Sequence, residues 1–215
     1  MEYFKFVYEG GSAEIIEKKS RFIASVCPVK NEEEALAFIQ SKKKEYWDAR
    51  HNCSAFVCGT NNEISRCSDD GEPAQTAGRP MLDVLLKEEI HDVAVVVTRY
   101  FGGVLLGTGG LVRAYQKATQ EGLAASNILT KQAGVLMSVK CDYTSLGKVQ
   151  YILAKNETPI KDTLYTDAVE FLLAVSISSK DALVAEITEG TNGSALIEEK
   201  EEIFFAKNKD EILFL

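Results

Sequence analysis

The sequence predicts an α+β protein of two domains. Residues 93–97 are apolar and mostly β-branched, as in a strand buried on both faces, and a glycine-rich turn and the start of a helix follow them. In residues 134–215, the predicted elements run in the order βαββαβ, which is that of a ferredoxin-like split βαβ domain. A chain of 215 residues suits this division, and we expect domains at residues 1–133 and 134–215.

The first domain begins with a predicted strand over residues 20–28. Asn31 is suited to cap a following helix, because residues 32–34 are glutamates at the positive end of its dipole and residues 42–44 are lysines at its negative end. The remaining predicted elements are a hairpin of strands at 52–58 and 64–68, a helix from about 76 to 88, the strand at 93–97, and a helix that ends near 125.

The second domain follows residues 131–134, a Lys-Gln-Ala-Gly segment that we interpret as its boundary. Its predicted elements are a strand at 135–141, a helix at 143–155, strands at 160–165 and 168–176, a helix from Ser179 or Asp181 to about 189, and a strand at 196–206.

Charge is unevenly distributed between the two domains. The net charge is −8, with 16 Lys and Arg against 18 Asp and Glu in residues 1–133, and 8 against 14 in residues 134–215. Nucleic-acid binding depends on basic patches that displace counterions, so a general electrostatic attraction to RNA is not expected. A local basic site in the first domain is compatible with these numbers, and the acidic second domain would suit a basic protein partner.

The sequence also indicates a compartment. No apolar run approaches the roughly 20 residues of a membrane helix, and residues 1–9 lack the pattern of a signal peptide. The five cysteines are an odd number without a Cys-x-x-Cys pair, which is typical of reduced thiols. We therefore expect a cytoplasmic protein that does not associate with membranes.

The segment after residue 97 is a candidate anion site. A helix N-terminus bared by glycines offers free N–H groups and a partial positive charge, and Arg99 and Arg113 could converge on it. The alternative is that glycine only permits close packing of a strand and a helix. Neither a nucleotide P-loop nor a dinucleotide fingerprint is present. The glycines concerned are Gly102, Gly103, Gly107, Gly109 and Gly110.

The loop after residue 68 is rich in polar side chains. Asp69, Asp70 and Glu72 could hold Mg²⁺ or act in acid–base chemistry. We favour a structural loop, in which Asp70 lies in a turn and Thr76 caps the next helix, so we predict no metal and no cofactor. Gln75, Thr76 and the nearby Arg79 are candidate groups for surface recognition.

His51 and Cys53 would point to the same face of a strand, where a Cys–His nucleophile is geometrically feasible. A zinc site that adds Cys58 and Cys67 is a second alternative. We favour a buried, unreactive Cys53. Cys53 and Cys58 are five positions apart and therefore face opposite sides of one strand, which argues against shared metal ligation. We predict no catalytic residue.

Three blocks in the first half of the chain, residues 48–53, 67–80 and 93–115, resemble the YigZ/IMPACT family in sequence and in order. The resemblance implies a first domain with the fold of the second domain of a small-subunit ribosomal protein. It also implies a second domain like the C-terminal domain of elongation factor G. Eukaryotic IMPACT relatives act in translational control and have a further domain in front, which we expect this chain to lack.

Together these features predict a non-catalytic translation-associated regulator that binds the ribosome or structured RNA. Arginines would pair with phosphates, and aromatic side chains could stack on unpaired bases. Two alternatives stay open: an enzyme that acts on a small phosphorylated or nucleotide-like substrate held at the glycine-rich helix N-terminus, and a protein-interaction module. The predicted contact residues besides the glycines are Arg50, His51, Arg66, Arg79, Arg99, Tyr100, Phe101 and Arg113.

Overall fold

The computed structural model describes residues 3–59, 61–208 and 211–215. They form two units, Tyr3–Leu129 and Thr130–Leu215. The elements of the first unit are β1 (Tyr3–Glu9), β2 (Ser12–Glu17), β3 (Ser20–Pro28), α1 (Glu32–Glu45), β4 (His51–Cys58), β5 (Ile64–Ser68), α2 (Gly78–Lys87), β6 (Ile90–His91), β7 (Val93–Tyr100) and α3 (Thr108–Ala124).

The first unit is built on a five-stranded sheet with the order β2-β3-β7-β4-β5. Its central strand β7 is buried on both faces, because Val95 and Val97 pack with Tyr115 of α3 while Ala94 and Val96 belong to a separate cluster with α1. This confirms the prediction of a central strand at residues 93–97. Strand β1 pairs in parallel with β6.

Helix α1 begins as the sequence predicts. The Asn31 side chain accepts a hydrogen bond from the Glu34 backbone N–H at 2.9 Å, and the first and last turns carry three glutamates and three lysines. These charges favour a helix because they oppose its dipole at both ends. Strands β3 and β5 also have the predicted limits.

One end of this sheet gathers several connecting segments. Strand β7 ends there at Tyr100, which pairs with Arg21 near the start of β3, and Arg99 pairs with His51 at the start of β4. We call this end of the sheet, with its connections, the Tyr100 end. The connections are residues 18–19 between β2 and β3, 46–50 before β4, 69–77 after β5, and 101–107 after β7.

The second unit contains most of β8 (Asn127–Cys141), followed by α4 (Leu146–Lys155), β9 (Ile160–Tyr165), β10 (Val169–Ser176), α5 (Lys180–Gly190), β11 (Leu196–Asn208) and β12 (Glu211–Phe214). Antiparallel pairings give the order β9-β10-β8-β11-β12. Val149, Ile152 and Ile187 of the two helices join one core with Met137 and Phe171 of the sheet. The predicted βαββαβ order is present, with one short strand added.

Strand β8 starts earlier than the predicted 135–141, so residues 131–134 lie in a strand and not in a linker. Gln132 and Ala133 pair with Phe205 and Phe204 of β11. Gly134 is needed here for packing, because a Cβ would lie 2.6 Å from the Phe205 ring. In the described part of the chain, no helix has the length and apolar character to cross a membrane.

Candidate functional site

Arg99 lies beneath the Tyr100 end and not on its surface. It is only 6% exposed, its Nη1 donates to Glu72 Oε1 at 2.7 Å, and the Tyr115 hydroxyl donates to the same oxygen at 2.8 Å. The guanidinium also lies over the rings of Phe22 and Phe101, at 5.4 and 5.7 Å from their centroids. The expectation of an exposed Arg99 that converges with Arg113 on a ligand is therefore corrected, because Glu72 already neutralises its charge.

Cys53 borders the same buried network. Its Sγ lies 3.0 Å from the Asp69 carbonyl oxygen and 3.3 Å from the Tyr115 hydroxyl. Burial raises the pKa of Cys53 to about 12 and also raises the pKa of Tyr115. The thiol is thus protonated at neutral pH and is not a nucleophile. His51 Nδ1 lies 3.0 Å from the Asp70 carbonyl oxygen.

Asp69 holds the acidic loop and starts α2. Its Oδ1 accepts the backbone N–H groups of Ala77 and Gly78 at 3.0 and 2.8 Å, and its Oδ2 accepts that of Gln75 at 2.8 Å. We predicted that Thr76 caps this helix, which is wrong. The buried Thr76 hydroxyl donates to the Pro73 carbonyl, and the carboxylate reaches more of the free N–H groups than one hydroxyl could.

The other carboxylates of this loop also have structural partners. Asp70 forms an ion pair with Lys43 and accepts the Asn52 N–H at 2.7 Å, and Glu72 holds Arg99. Within residues 3–59, 61–208 and 211–215, no group of three or more His, Cys, Asp or Glu side chains is placed to hold a metal ion. The loop is therefore a scaffold, with Gln75 exposed at its tip in a left-handed conformation (φ 63°).

The glycines of residues 102–110 fall into three groups. Gly102 packs against the Lys19 backbone, and a Cβ at Gly110 would lie 3.0 Å from Leu106 Cβ. Gly103 and Gly107 adopt φ of 83° and 72°, which disfavours other residues. Gly109 has neither a neighbour that a Cβ would crowd nor a positive φ.

The N-terminus of α3 is exposed and has no side-chain cap. Its N-cap is Gly107, and its first turn contains no acidic residue. The first intrahelical bond runs from Leu111 N–H to the Gly107 carbonyl. The Arg113 Nη1 lies 3.6 Å from the position of a Cβ at Gly109, so the guanidinium is beside this first turn. Free N–H groups and a cation therefore share one region.

Several cations in the connections of the Tyr100 end and on the first three turns of α3 have no ion pair with any described residue: Lys18, Lys19, Arg50, Arg113 and Lys117. Other predicted arginines are engaged, since Arg79 pairs with Asp83 at 2.7 Å and Arg66 approaches Glu32 at 3.8 Å.

Large exposed side chains lie at the Tyr100 end beside these cations. Phe101 is 53% exposed, Leu105 82%, and Trp47 81%. The Tyr100 hydroxyl donates to Asp48 at 2.8 Å, which raises the pKa of Tyr100 and ties residues 46–50 to β7.

Four residues that the sequence had singled out one by one lie at the Tyr100 end, namely Arg50, His51, Tyr100 and Phe101. Arg113 lies on α3, beside the turn that contains Lys18. Sequence reasoning missed Lys18, Lys19, Trp47 and Lys117. The alternation in residues 12–17, followed by a two-residue gap, could have indicated the hairpin that presents the two lysines. No sequence signal distinguishes an exposed Trp47 from a buried one.

These features define a two-domain α+β protein with a candidate ligand surface at one end of its first sheet. The family model described as the Impact N-terminal domain matches residues 18–123, and a domain of unknown function (DUF1949) matches residues 139–194. The first match covers Lys18, the acidic loop, the glycine-rich segment and all of α3 except its last residue.

Relatives match nearly the whole chain. "IMPACT family member YvyE" of Bacillus subtilis (strain 168) is 44% identical over 201 residues, covering 94% of this chain and 93% of the relative. "IMPACT family member YigZ" of Escherichia coli (strain K12) is 35% identical and covers 82% of this chain and 88% of the relative. The chain therefore belongs to the IMPACT family.

A solved structure titled "Crystal structure of an hypothetical protein" is also similar to this chain. It has a TM-score of 0.59 and 32% identity, and the match covers 94% of this chain and 98% of that one.

Proposed function

We propose that the Tyr100 end binds structured RNA, on the ribosome or free, and that the protein is a non-catalytic regulator of translation. The observation that carries this proposal is the group of five cations without ion pairs beside exposed aromatic side chains. In a chain of net charge −8, a group of cations without ion-pair partners suits an anionic partner.

The chemistry of this surface suits RNA in two ways. Lysine and arginine side chains neutralise phosphates and release counterions, and the uncapped N–H groups of α3 add further donors for an anion. Phe101 and Trp47 are exposed aromatic side chains, and stacking of an unpaired base on such a side chain contributes about 1–3 kcal/mol. The acidic second unit would repel RNA, which confines binding to the first unit.

Resemblance at the level of domains supports the connection with the ribosome. The family resemblance implies a first unit like the second domain of a small-subunit ribosomal protein and a second unit like the C-terminal domain of elongation factor G. Because a fold does not determine a function, the domain resemblance is an analogy. The cationic surface is the stronger support for the proposed function.

The test is co-sedimentation of the purified protein with ribosomal subunits, together with fluorescence anisotropy on a structured RNA. The informative variant is Arg50→Gln/Arg113→Gln, which removes two exposed cations. Arg99 is unsuitable, because its loss would leave Glu72 buried without its partner.

We expect this variant to lose most binding while its unfolding curve stays unchanged. A matched control is Lys87→Gln/Lys148→Gln, which removes the same charge from two exposed helical positions, one at the end of α2 and one in the second unit. If both double variants bind as the wild type does, or if the wild type does not bind, the proposal is wrong.

A further inference from the structure

A small cavity of about 250 Å³ lies beside the first three turns of α3. The turn between β2 and β3 forms one wall through Glu17 and Lys18, and α3 forms the other through Gly110, Arg113 and Lys117. Nothing in the sequence singled out this cavity, since Lys18 and Lys117 are 99 positions apart.

Packing against the hydrophobic core holds part of the cavity wall in place. Leu106 lines it and also packs against the main hydrophobic cluster of the unit, and Gly110 leaves room beside Leu106 that a Cβ would take. Arg113 and Lys117 are four positions apart on one helix, so they project from the same face. Lys18 has a φ of 45°, an uncommon conformation for lysine.

The charge of the cavity is strongly positive. Lys18, Arg113 and Lys117 line it with Glu17 as the only acidic residue among the described lining residues, and none of the three cations has an ion pair with a described residue. Like charges at positions i and i+4 destabilise a helix slightly. An anion bound between these side chains would remove this repulsion.

The size of the cavity restricts that anion. Pockets that enclose a whole drug-sized ligand have volumes of about 300–1,000 Å³, so a cavity of about 250 Å³ suits one group of a larger ligand. We propose that this cavity holds a single backbone phosphate of the bound RNA, with Lys18, Arg113 and Lys117 as its ligands. This inference rests on the proposed function and assigns one contact within it.

The test uses the full-length protein and the same fluorescein-labelled structured RNA as the test of the proposed function, with affinity measured by anisotropy from 50 to 200 mM KCl. The slope of log K against log salt changes by about 0.7 for each neutralised phosphate of a single strand and by about 0.9 for one of a duplex. We expect Lys18→Gln and Lys117→Gln each to reduce the slope by up to this amount. Because they share one phosphate, the double variant should not exceed it.

Lys87→Gln is the matched control, since Lys87 is an exposed helical lysine near the opposite end of β7. If the wild type binds RNA but the Lys18 and Lys117 variants keep the slope of Lys87→Gln, the cavity is not a phosphate site while the proposed function stands. Additive slope losses in the double variant would likewise overturn a shared phosphate. If the wild type binds no RNA, both proposals fail.

A parallel titration with inorganic phosphate at constant ionic strength identifies the source of the anion. We expect weak binding, because a free phosphate lacks the other contacts of the polymer. Binding that depends on Lys117 and is tighter than that of the RNA would assign the cavity to a free phosphorylated ligand and overturn the RNA assignment.

Discussion

Two loops at the Tyr100 end differ in how they use their polar groups. In the acidic loop, residues 69–77, Asp69 accepts three backbone N–H groups, Asp70 holds Lys43, and Glu72 holds Arg99. Every carboxylate is therefore engaged in maintaining the structure. The sequence alone favours such a structural loop but leaves a metal or acid–base site open as the weaker alternative.

The glycine-rich loop, residues 101–107, differs from the acidic loop because charged groups near it have no ion-pair partner among the described residues. The helix that follows has no side-chain cap, Phe101 and Leu105 are exposed, and Arg113 and Lys117 have no ion pair among the described residues. The conspicuous acidic residues are therefore part of the scaffold, and the binding that we propose depends on the charges that are left uncompensated.

The largest expected effect comes from Glu72→Gln. Breaking a buried ion pair by removing one partner leaves a buried charge without compensation, which costs about 3–5 kcal/mol. Both side chains of the pair are almost completely buried. We therefore expect the free energy of unfolding, measured by urea titration, to fall by about that amount.

Tyr115→Phe changes the same buried network, and we expect it to lower the free energy of unfolding by less than Glu72→Gln does. It removes one hydrogen bond to Glu72 and keeps the ring, so a loss of about 1 kcal/mol is expected. A Glu72→Gln protein as stable as Tyr115→Phe would show that the acidic loop is not the scaffold described here.

The second effect is on alkaline stability. The pKa of Cys53 is raised from 9.0 to about 12 in the folded protein, so between these values the folded state keeps a proton that the unfolded state loses. This contribution is complete below pH 9 and declines as pH rises toward 12, by about 1.4 kcal/mol per unit at most. We expect a loss of about 2 kcal/mol by pH 10.5.

Cys53→Ala isolates this contribution, because the lysines and tyrosines that also titrate at high pH are common to both proteins. Urea unfolding of the two proteins at pH 8.0 and 10.5 should show a smaller loss for the variant. Identical losses would mean that the thiol is accessible, which would reopen the nucleophile interpretation.

Much of the scaffold was predictable because its signals are local. Strand β3 and the Asn31 cap follow from residues close in sequence. The burial of Arg99 was not predictable, since its partner Glu72 is 27 positions away and a lone arginine beside glycines is typical of a surface. Lys18 and Lys19 were missed because both adopt positive φ in a turn that usually requires glycine or asparagine.

A third prediction concerns the start of α2. Asp69→Ala removes the acceptor for the Gln75, Ala77 and Gly78 N–H groups, and loss of a cap costs about 0.5–2 kcal/mol. We expect a value near the upper limit, measured by urea unfolding. Thr76→Ala should cost less, because its hydroxyl serves only the Pro73 carbonyl; the reverse order would restore Thr76 as the cap.

The smallest expected change in stability is also the sharpest test of the glycine-rich loop. Gly109 is the second residue of α3, with space for a Cβ and no positive φ, so Gly109→Ala should keep or slightly raise stability through helix propensity, by up to about 1 kcal/mol. The new methyl group would lie against Arg113 and the free N–H groups. We therefore expect RNA affinity to fall several-fold in the anisotropy assay.

Gly147→Ala is the matched control for this substitution. Gly147 is likewise the second residue of its helix, α4, and a Cβ there meets nothing within 4 Å. The two variants should have similar stability and different affinity for RNA, because only Gly109 lies at the uncompensated surface. Equal affinity would mean that the first turn of α3 does not contact the RNA, and that the glycines of this loop serve packing and turn geometry alone.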